Sequence, residues 1–141
     1  RCAQAVVPCM RESGWGRIIN ISGLAARQVG STIGSMRNVA VVAMARNLAA
    51  ELGGDGITVN VIHPGMTRTE RTPGMLEARA KAAGTSVEEA EAAMSTGNNV
   101  GRIIDATEIA YVATFLASPR SGAITGDVIA AGGGVGPAIH Y

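Results

Sequence analysis

The chain has 141 residues, a normal size for one domain, and 47% of them are hydrophobic, enough to bury a core. Twelve Lys and Arg against eleven Asp and Glu leave a net charge of +1, so no field of one sign draws in nucleic acid or an anionic membrane surface. Aromatic residues at 3% also remove the stacking platforms that binders of single-stranded nucleic acid use.

The opening segment, RCAQAVVPCMRES, reads as a helix over 1–12 with no capping residue before it. It starts on Arg1, not on methionine, so an N-terminal part is expected to be missing from this sequence. Cys2 and Cys9 lie two turns apart on this helix, with α-carbons about 10 Å apart, too far for a disulfide. Free thiols fit a reducing cytoplasm, the expected location. No apolar run approaches the length of about 20 residues that spans a bilayer, and the N-terminus lacks the layout of a signal peptide.

Ser13, Gly14 and Gly16 break the helix, and RIINIS (17–22) is a short isoleucine-rich run of the kind that makes a buried strand. From Gly34 to Leu52 the residues Val41, Met44, Ala45, Leu48 and Leu52 recur at helical spacing, and Gly53-Gly54 is expected to end this helix in left-handed conformers. ITVNVI (57–62), rich in β-branched residues, predicts a second strand that stops at His63-Pro64-Gly65. Residues 66–100 are polar and alanine-rich and predict one or two surface helices, with Ser86 as an N-cap ahead of acidic residues. DATEIAYVATFLAS (105–118) predicts an amphipathic helix capped by Asp105, with Glu108 three residues on. GDVIAAGGG (126–134) closes as a strand running into a glycine turn. Helices alternating with strands predict an α/β domain, a parallel sheet with helices on both faces. Ligands in such folds sit beyond the carboxyl ends of the strands, here after Ser22, Ile62 and Ala130.

Three segments in order, PCMRESGWGRIINISG, ARNLAAELGGDGITVNVIHPGMTRTE and VATFLASPRSGAITGDVIAAGGG, resemble the C-terminal half of a short-chain dehydrogenase/reductase, and the likeness covers essentially the whole chain. The resemblance implies a Rossmann-like, doubly wound parallel sheet of which residues 1–141 are one partial domain with about three strands. It also implies NAD or NADP as cofactor, a small-molecule substrate interconverted between alcohol and carbonyl, and a substrate loop at 66–100. A homo-oligomer built on the helices at 1–12 and 34–52 is implied too, with Val39, Ala43 and Ala50 allowing close helix packing. Neither a nucleic acid nor a membrane is expected as partner. The glycine cluster Gly132, Gly133, Gly134 and Gly136 precedes no helix and so does not present a helix N-terminus to a pyrophosphate.

The resemblance places the cofactor loop on Pro64, Gly65, Met66, Thr67 and Thr69, where glycine allows close backbone approach and a hydroxyl donates and accepts. A plain strand-ending turn is the alternative. It also places the family's catalytic tyrosine on Gly34, its lysine on Asn38 and its serine on Gly23, none of which does the expected chemistry. Two substitutes are candidates for catalysis. Ser22 is displaced by one residue, and His63 sits at a strand's carboxyl end, where a structural role is the alternative. Tyr111, Tyr141 and Arg37 are further possibilities, with packing or a solvated surface as the plainer readings. Three functional classes remain open: an oxidoreductase, a pseudoenzyme that keeps the fold, and a half-domain that works by assembling with another chain.

Overall fold

A computed structural model describes residues 1–136. Helix α1 spans Cys2–Ser13 and is closed by Gly14 in the left-handed conformation (φ 62°), which glycine adopts without a steric penalty. Strand β1 (Gly16–Ile21) follows, then a short 3-10 turn at Leu24–Ala26, and then the long helix α2 (Thr32–Leu52). Strand β2 runs Ile57–Pro64 and a two-residue strand β3 spans Thr67–Arg68. Helices α3 (Thr72–Ala83) and α4 (Val87–Ser95) fall within the segment 66–100 where one or two surface helices are expected, and there are two. Strand β4 (Ile104–Asp105), helix α5 (Ala106–Ala117) and strand β5 (Val128–Ala131) complete the chain order.

The three longer strands form one sheet in the order β1-β2-β5, and both pairings are parallel. The register runs from Gly16 opposite Ile57 to Ile21 opposite Ile62, and from Val61 opposite Val128 to Pro64 opposite Ala131. The central strand is almost wholly buried because it is covered on both faces, which explains its unbroken run of β-branched residues. Its odd-numbered side chains Ile57, Val59 and Val61 pack with Val7 of α1 and Ala45, Ala49 and Leu52 of α2. Each such Val or Ile, fully buried, contributes about 1.5–3 kcal/mol. On the opposite face lies α5, whose Leu116 is buried, and the even-numbered Asn60 donates from Nδ2 to the Ile124 carbonyl (2.8 Å). The expected α/β layering, with helices on both faces of a parallel sheet, is therefore what the chain forms.

Several boundaries differ from the expectation for identifiable reasons. Helix α2 starts at Thr32 because Ser31 caps it, its Oγ accepting from the Gly34 N–H (3.1 Å). Gly53 is not left-handed. It keeps right-handed torsions and the chain tightens into a 3-10 turn at Gly53–Asp55, so the left-handed residue is Gly56 (φ 75°). A Cβ on Gly56 would lie 2.1 Å from the Gly14 carbonyl oxygen, so only glycine fits there. Strand β2 continues two residues beyond the predicted stop, through His63 to Pro64, because a proline at the last ladder position loses a donor without breaking the preceding bonds. Within 126–134 the strand itself covers Val128–Ala131 and runs into the expected glycine turn, with positive φ at Gly133, Gly134 and Gly136. The β3–β4 pair was not foreseen, since two residues carry no periodicity to read. Both cysteines are free and exposed, and no helix among the described residues is long and apolar enough to cross a membrane.

Candidate active site at the carboxyl ends of the strands

Parallel strands deliver their carboxyl ends to one rim of the sheet, and the loops leaving β1, β2 and β5 meet there. Gly65 and Gly132 make this meeting possible. A Cβ on Gly65 would stand 2.8 Å from the Gly132 Cα, and one on Gly132 would stand 2.6 Å from the Leu24 Cδ1. The two backbones touch where side chains are absent, and the Gly65 N–H donates to the Ala131 carbonyl (3.4 Å).

Over this contact lies a cavity of about 390 Å³ lined by Leu24, Ala25, Gln28, Pro64, Gly65, Met66, Met94, Gly97, Asn98 and Val135. A neighbouring cavity of about 740 Å³ shares Leu24, Gln28 and Val135 and adds Arg27 and Asn99. The far wall is the loop after α4. Its Asn99 N–H donates to the carbonyls of Gly133 (2.8 Å) and Gly134 (3.1 Å), which fastens the loop to the end of β5.

Among the expected cofactor residues, Pro64, Gly65 and Met66 line the smaller cavity. Thr67 and Thr69 are engaged locally instead. The Thr67 hydroxyl donates to the Gly65 carbonyl (3.1 Å), and the Thr69 hydroxyl accepts from the Arg71 N–H (3.3 Å). The Thr69 N–H in turn donates to the Thr72 hydroxyl at the start of α3 (2.8 Å). Thr69 thus orders the entry to the helix pair at 72–95.

The catalytic positions form a tight set of their own. Asn38, only 6% exposed, donates from Nδ2 to the Gly23 carbonyl (3.4 Å), while the Ser22 hydroxyl reaches the Asn38 carbonyl at 3.5 Å, the outer limit of a hydrogen bond. A Cβ on Gly23 would lie 3.2 Å from Asn38 Nδ2, so the small residue at 23 makes room for the amide at 38. A Cβ on Gly34 would lie 3.1 Å from the Ser31 Oγ that caps α2. Glycine at 23 thus fits the asparagine at 38, and glycine at 34 fits the serine cap at 31.

His63 faces α2 and is fully buried, and neither ring nitrogen has a hydrogen-bond partner among the described residues. Burial, and secondarily the charge of Arg27, push its pKa below the ordinary 6.5, so it is neutral at pH 7. It borders a separate small cavity of about 180 Å³ with Ala26, Arg27, Val39, Val42 and Val128, away from the one beside Pro64. Ser22 and His63 each follow directly on the paired residues Ile21 and Ile62, but neither lines the larger cavities. Tyr111 is 70% exposed on α5, and Tyr141 lies outside the described residues. Gln28, Asn98 and Val135 were missed because they come from three segments that only folding brings together.

The strand ends of a parallel α/β sheet, where loops border a cavity, are the place where open α/β folds take ligands. A family profile described as enoyl-(acyl carrier protein) reductase matches residues 1–136. The short-chain reductase protein NovJ of Streptomyces niveus is 39% identical over 135 residues, covering 95% of this chain and 50% of NovJ. The NADPH-dependent reductase BacG of Bacillus subtilis is 35% identical over 127 residues, covering 89% of this chain and 49% of BacG. Among solved structures, YwfH, an NADPH-dependent reductase involved in bacilysin biosynthesis, superimposes with a TM-score of 0.85 at 32% identity, over 97% of this chain and 53% of that one. L-sorbose reductase from Gluconobacter frateurii, complexed with NADPH and L-sorbose, gives 0.86 at 26% identity, over 94% and 52% of the two chains. The chain belongs to the short-chain dehydrogenase/reductase family. It spans about half the length of the curated relatives it matches.

Proposed function

We propose that the full-length protein is an NAD(P)-dependent oxidoreductase that interconverts an alcohol and a carbonyl on a small molecule. The observation that carries this reading is the cavity formed by Pro64, Gly65 and Met66 against the loop at 24–28, at the strand rim where this fold takes its ligands. Relatives named as NADPH-dependent reductases support the cofactor. The reaction calls for a hydride from the nicotinamide and a proton at the carbonyl oxygen. In this chain the residues around Asn38 hold backbone carbonyls in place and offer no tyrosine–lysine pair.

That last feature favours a second reading, a pseudoenzyme that keeps the cofactor pocket for binding or regulation. Nicotinamide absorbance followed over a panel of carbonyl compounds separates the two, with wild type compared against Gly34→Tyr/Asn38→Lys in the full-length protein. A positioned general acid contributes typically about 10²–10⁴-fold. A silent wild type that gains turnover in the double variant supports the pseudoenzyme. A fast wild type that the double variant slows supports catalysis through another group.

Assembly as a homo-oligomer is part of the proposal. Val6 on α1 and Met36, Val39 and Met44 on α2 are large apolar side chains left exposed, the kind of patch a subunit interface covers. A strictly monomeric mass in light scattering at micromolar concentration would remove it. Two free thiols fit a cytoplasmic location.

A further inference from the structure

Asparagine is a weak helix former, and burying its amide costs free energy unless a partner takes it up. Asn38 nevertheless stands inside α2 as one of its buried residues. Its partner lies in the loop after β1, where its Nδ2 donates to the Gly23 carbonyl (3.4 Å). That carbonyl is shared, because the Ala26 N–H also donates to it (3.2 Å) and so closes the 3-10 turn at Leu24–Ala26. Gly23 is extended (φ −175°, ψ 159°), a backbone that any residue adopts, so glycine supplies space there and not a special torsion. A Cβ at 23 would meet the Asn38 Nδ2 at 3.2 Å and, apart from its chain neighbours, no other described atom within 4 Å. The turn anchored in this way brings Leu24 and Ala25 into the wall of the smaller cavity. Leu24 is buried over the contact between Gly65 and Gly132, its Cδ1 standing 3.4 Å and 2.6 Å from where Cβ atoms on the two glycines would lie. Ser22 fastens the start of the same loop, its N–H donating to the Ile62 carbonyl (2.9 Å) and its hydroxyl reaching the Asn38 carbonyl.

From this arrangement we infer that Asn38 is a positioning residue: through the Gly23 carbonyl it holds the Leu24–Ala25 turn against Pro64 and Gly65 and so sets the width of the cavity in which the cofactor is held. The inference rests on the reading of that cavity as a cofactor site, and Asn38 itself touches no ligand in this role. Its action depends on one donated proton. An ionised aspartate at 38 has the same shape but only acceptors, so it faces the Gly23 carbonyl with no hydrogen between the two oxygens. A protonated aspartate has an O–H to donate, and burial raises the pH at which that form appears. The positioning role therefore carries a pH signature that a loss of packing alone does not.

The test uses the full-length protein and measures NADP⁺ binding by calorimetry at pH 8 and pH 5 for wild type, Asn38→Ala, Asn38→Asp, Gly23→Ala and the double variant Gly23→Ala/Asn38→Ala. Each variant is compared with wild type at the same pH, so the titration of His63 and of the cofactor cancels. Asn38→Ala is expected to weaken binding roughly 2- to 10-fold, the worth of one hydrogen bond. Asn38→Asp is expected to weaken it more than about tenfold at pH 8 and to recover at least about threefold of that loss at pH 5. Gly23→Ala weakens binding by displacing the amide, and the double variant is no weaker than Asn38→Ala alone, since the added methyl meets only that amide. Native-state hydrogen exchange, measured without cofactor, is expected to show the Ala26 amide exchanging at least about twofold faster in Asn38→Ala while the amides of β2 stay protected. Wild-type affinity in Asn38→Ala, an Asn38→Asp deficit equal at the two pH values, or independent losses from positions 23 and 38 would overturn the positioning role. If Asn38→Asp fails to fold at pH 8, the alanine variants and their coupling decide. Failure of the wild type to bind NADP⁺ overturns the cofactor reading instead, and the Ala26 amide then settles the role of Asn38, an unchanged exchange rate overturning it.

Discussion

Acidification should destabilise this domain through His63, and the size of the effect follows from where the ring sits. His63, on β2, is fully buried against α2 and the loop at Ala26–Arg27, among Val39, Val42 and Val128, with neither ring nitrogen partnered among the described residues. Among the described residues, the one charged side chain bordering it is Arg27, a cation that disfavours an imidazolium. Its folded pKa lies below the ordinary 6.5, by burial first and by Arg27 second. A histidine with a lowered folded pKa binds fewer protons folded than unfolded, so its contribution is intact above pH 6.5 and is lost as the pH falls below it. Between pH 7.5 and 5.5 the loss reaches at most about 1.4 kcal/mol, the limit for a ring that stays neutral throughout while the unfolded chain titrates. Urea unfolding of the full-length protein at those two pH values, for wild type and His63→Leu, measures it. The difference between the two pH dependences isolates residue 63, because His140 and every carboxylate are common to both proteins. At pH 7.5 the leucine should be neutral or stabilising, since it removes two buried polar atoms that have no partners. Identical pH dependences in the two proteins would refute the reasoning, as would a marked loss of stability at pH 7.5, which would mean the ring has a partner after all.

Gly65→Ala places a Cβ 2.8 Å from the Gly132 Cα, a backbone atom, and should cost about 1–3 kcal/mol of stability in denaturant titration while distorting the rim of the cavity. Thr69→Ala should weaken NAD(P) binding by about 0.5–1.5 kcal/mol in calorimetry if the hydroxyl leaves the Arg71 N–H for the cofactor, and equal affinities would confine Thr69 to the start of α3. Glu108 is held at about 2 by hydrogen bonds from the Arg102 guanidinium and the Asp105 N–H, so NMR titration should find it ionised down to that pH, and Arg102→Met should raise it toward 4.5. Ser86→Ala removes the acceptor for the Glu89 N–H (3.1 Å) and should destabilise by about 1 kcal/mol, with increased amide exchange in the first turn of α4.

Most of the architecture was legible in the sequence because it is written in local pattern. Isoleucine and valine runs mark β1 and β2, helical spacing marks α2 and α5, and the Ser86 cap marks the start of α4, since each depends on neighbours within one or two turns. The family was legible for the same reason, since its three segments stand in order along the chain. The places where the expectation slipped are those set by distant partners. Gly53 stays right-handed because the tight approach to the Gly14 carbonyl falls on Gly56, and that approach joins residues forty-two positions apart in sequence, from 14 to 56.

The candidate site divides along the same line. Pro64, Gly65 and Met66 belong to one short motif, and the sequence alone directed attention to them. Tertiary structure alone decided that Gly65 lies on Gly132 and that the Asn98 Nδ2 donates to the Arg102 carbonyl beside the cavity. It also decided that His63 is sealed under α2, not presented to the rim. A residue's type and its immediate neighbours limit what chemistry it can do. Whether it meets water, a partner or an empty space depends on chain segments that come together only when the sheet closes and buries its apolar faces.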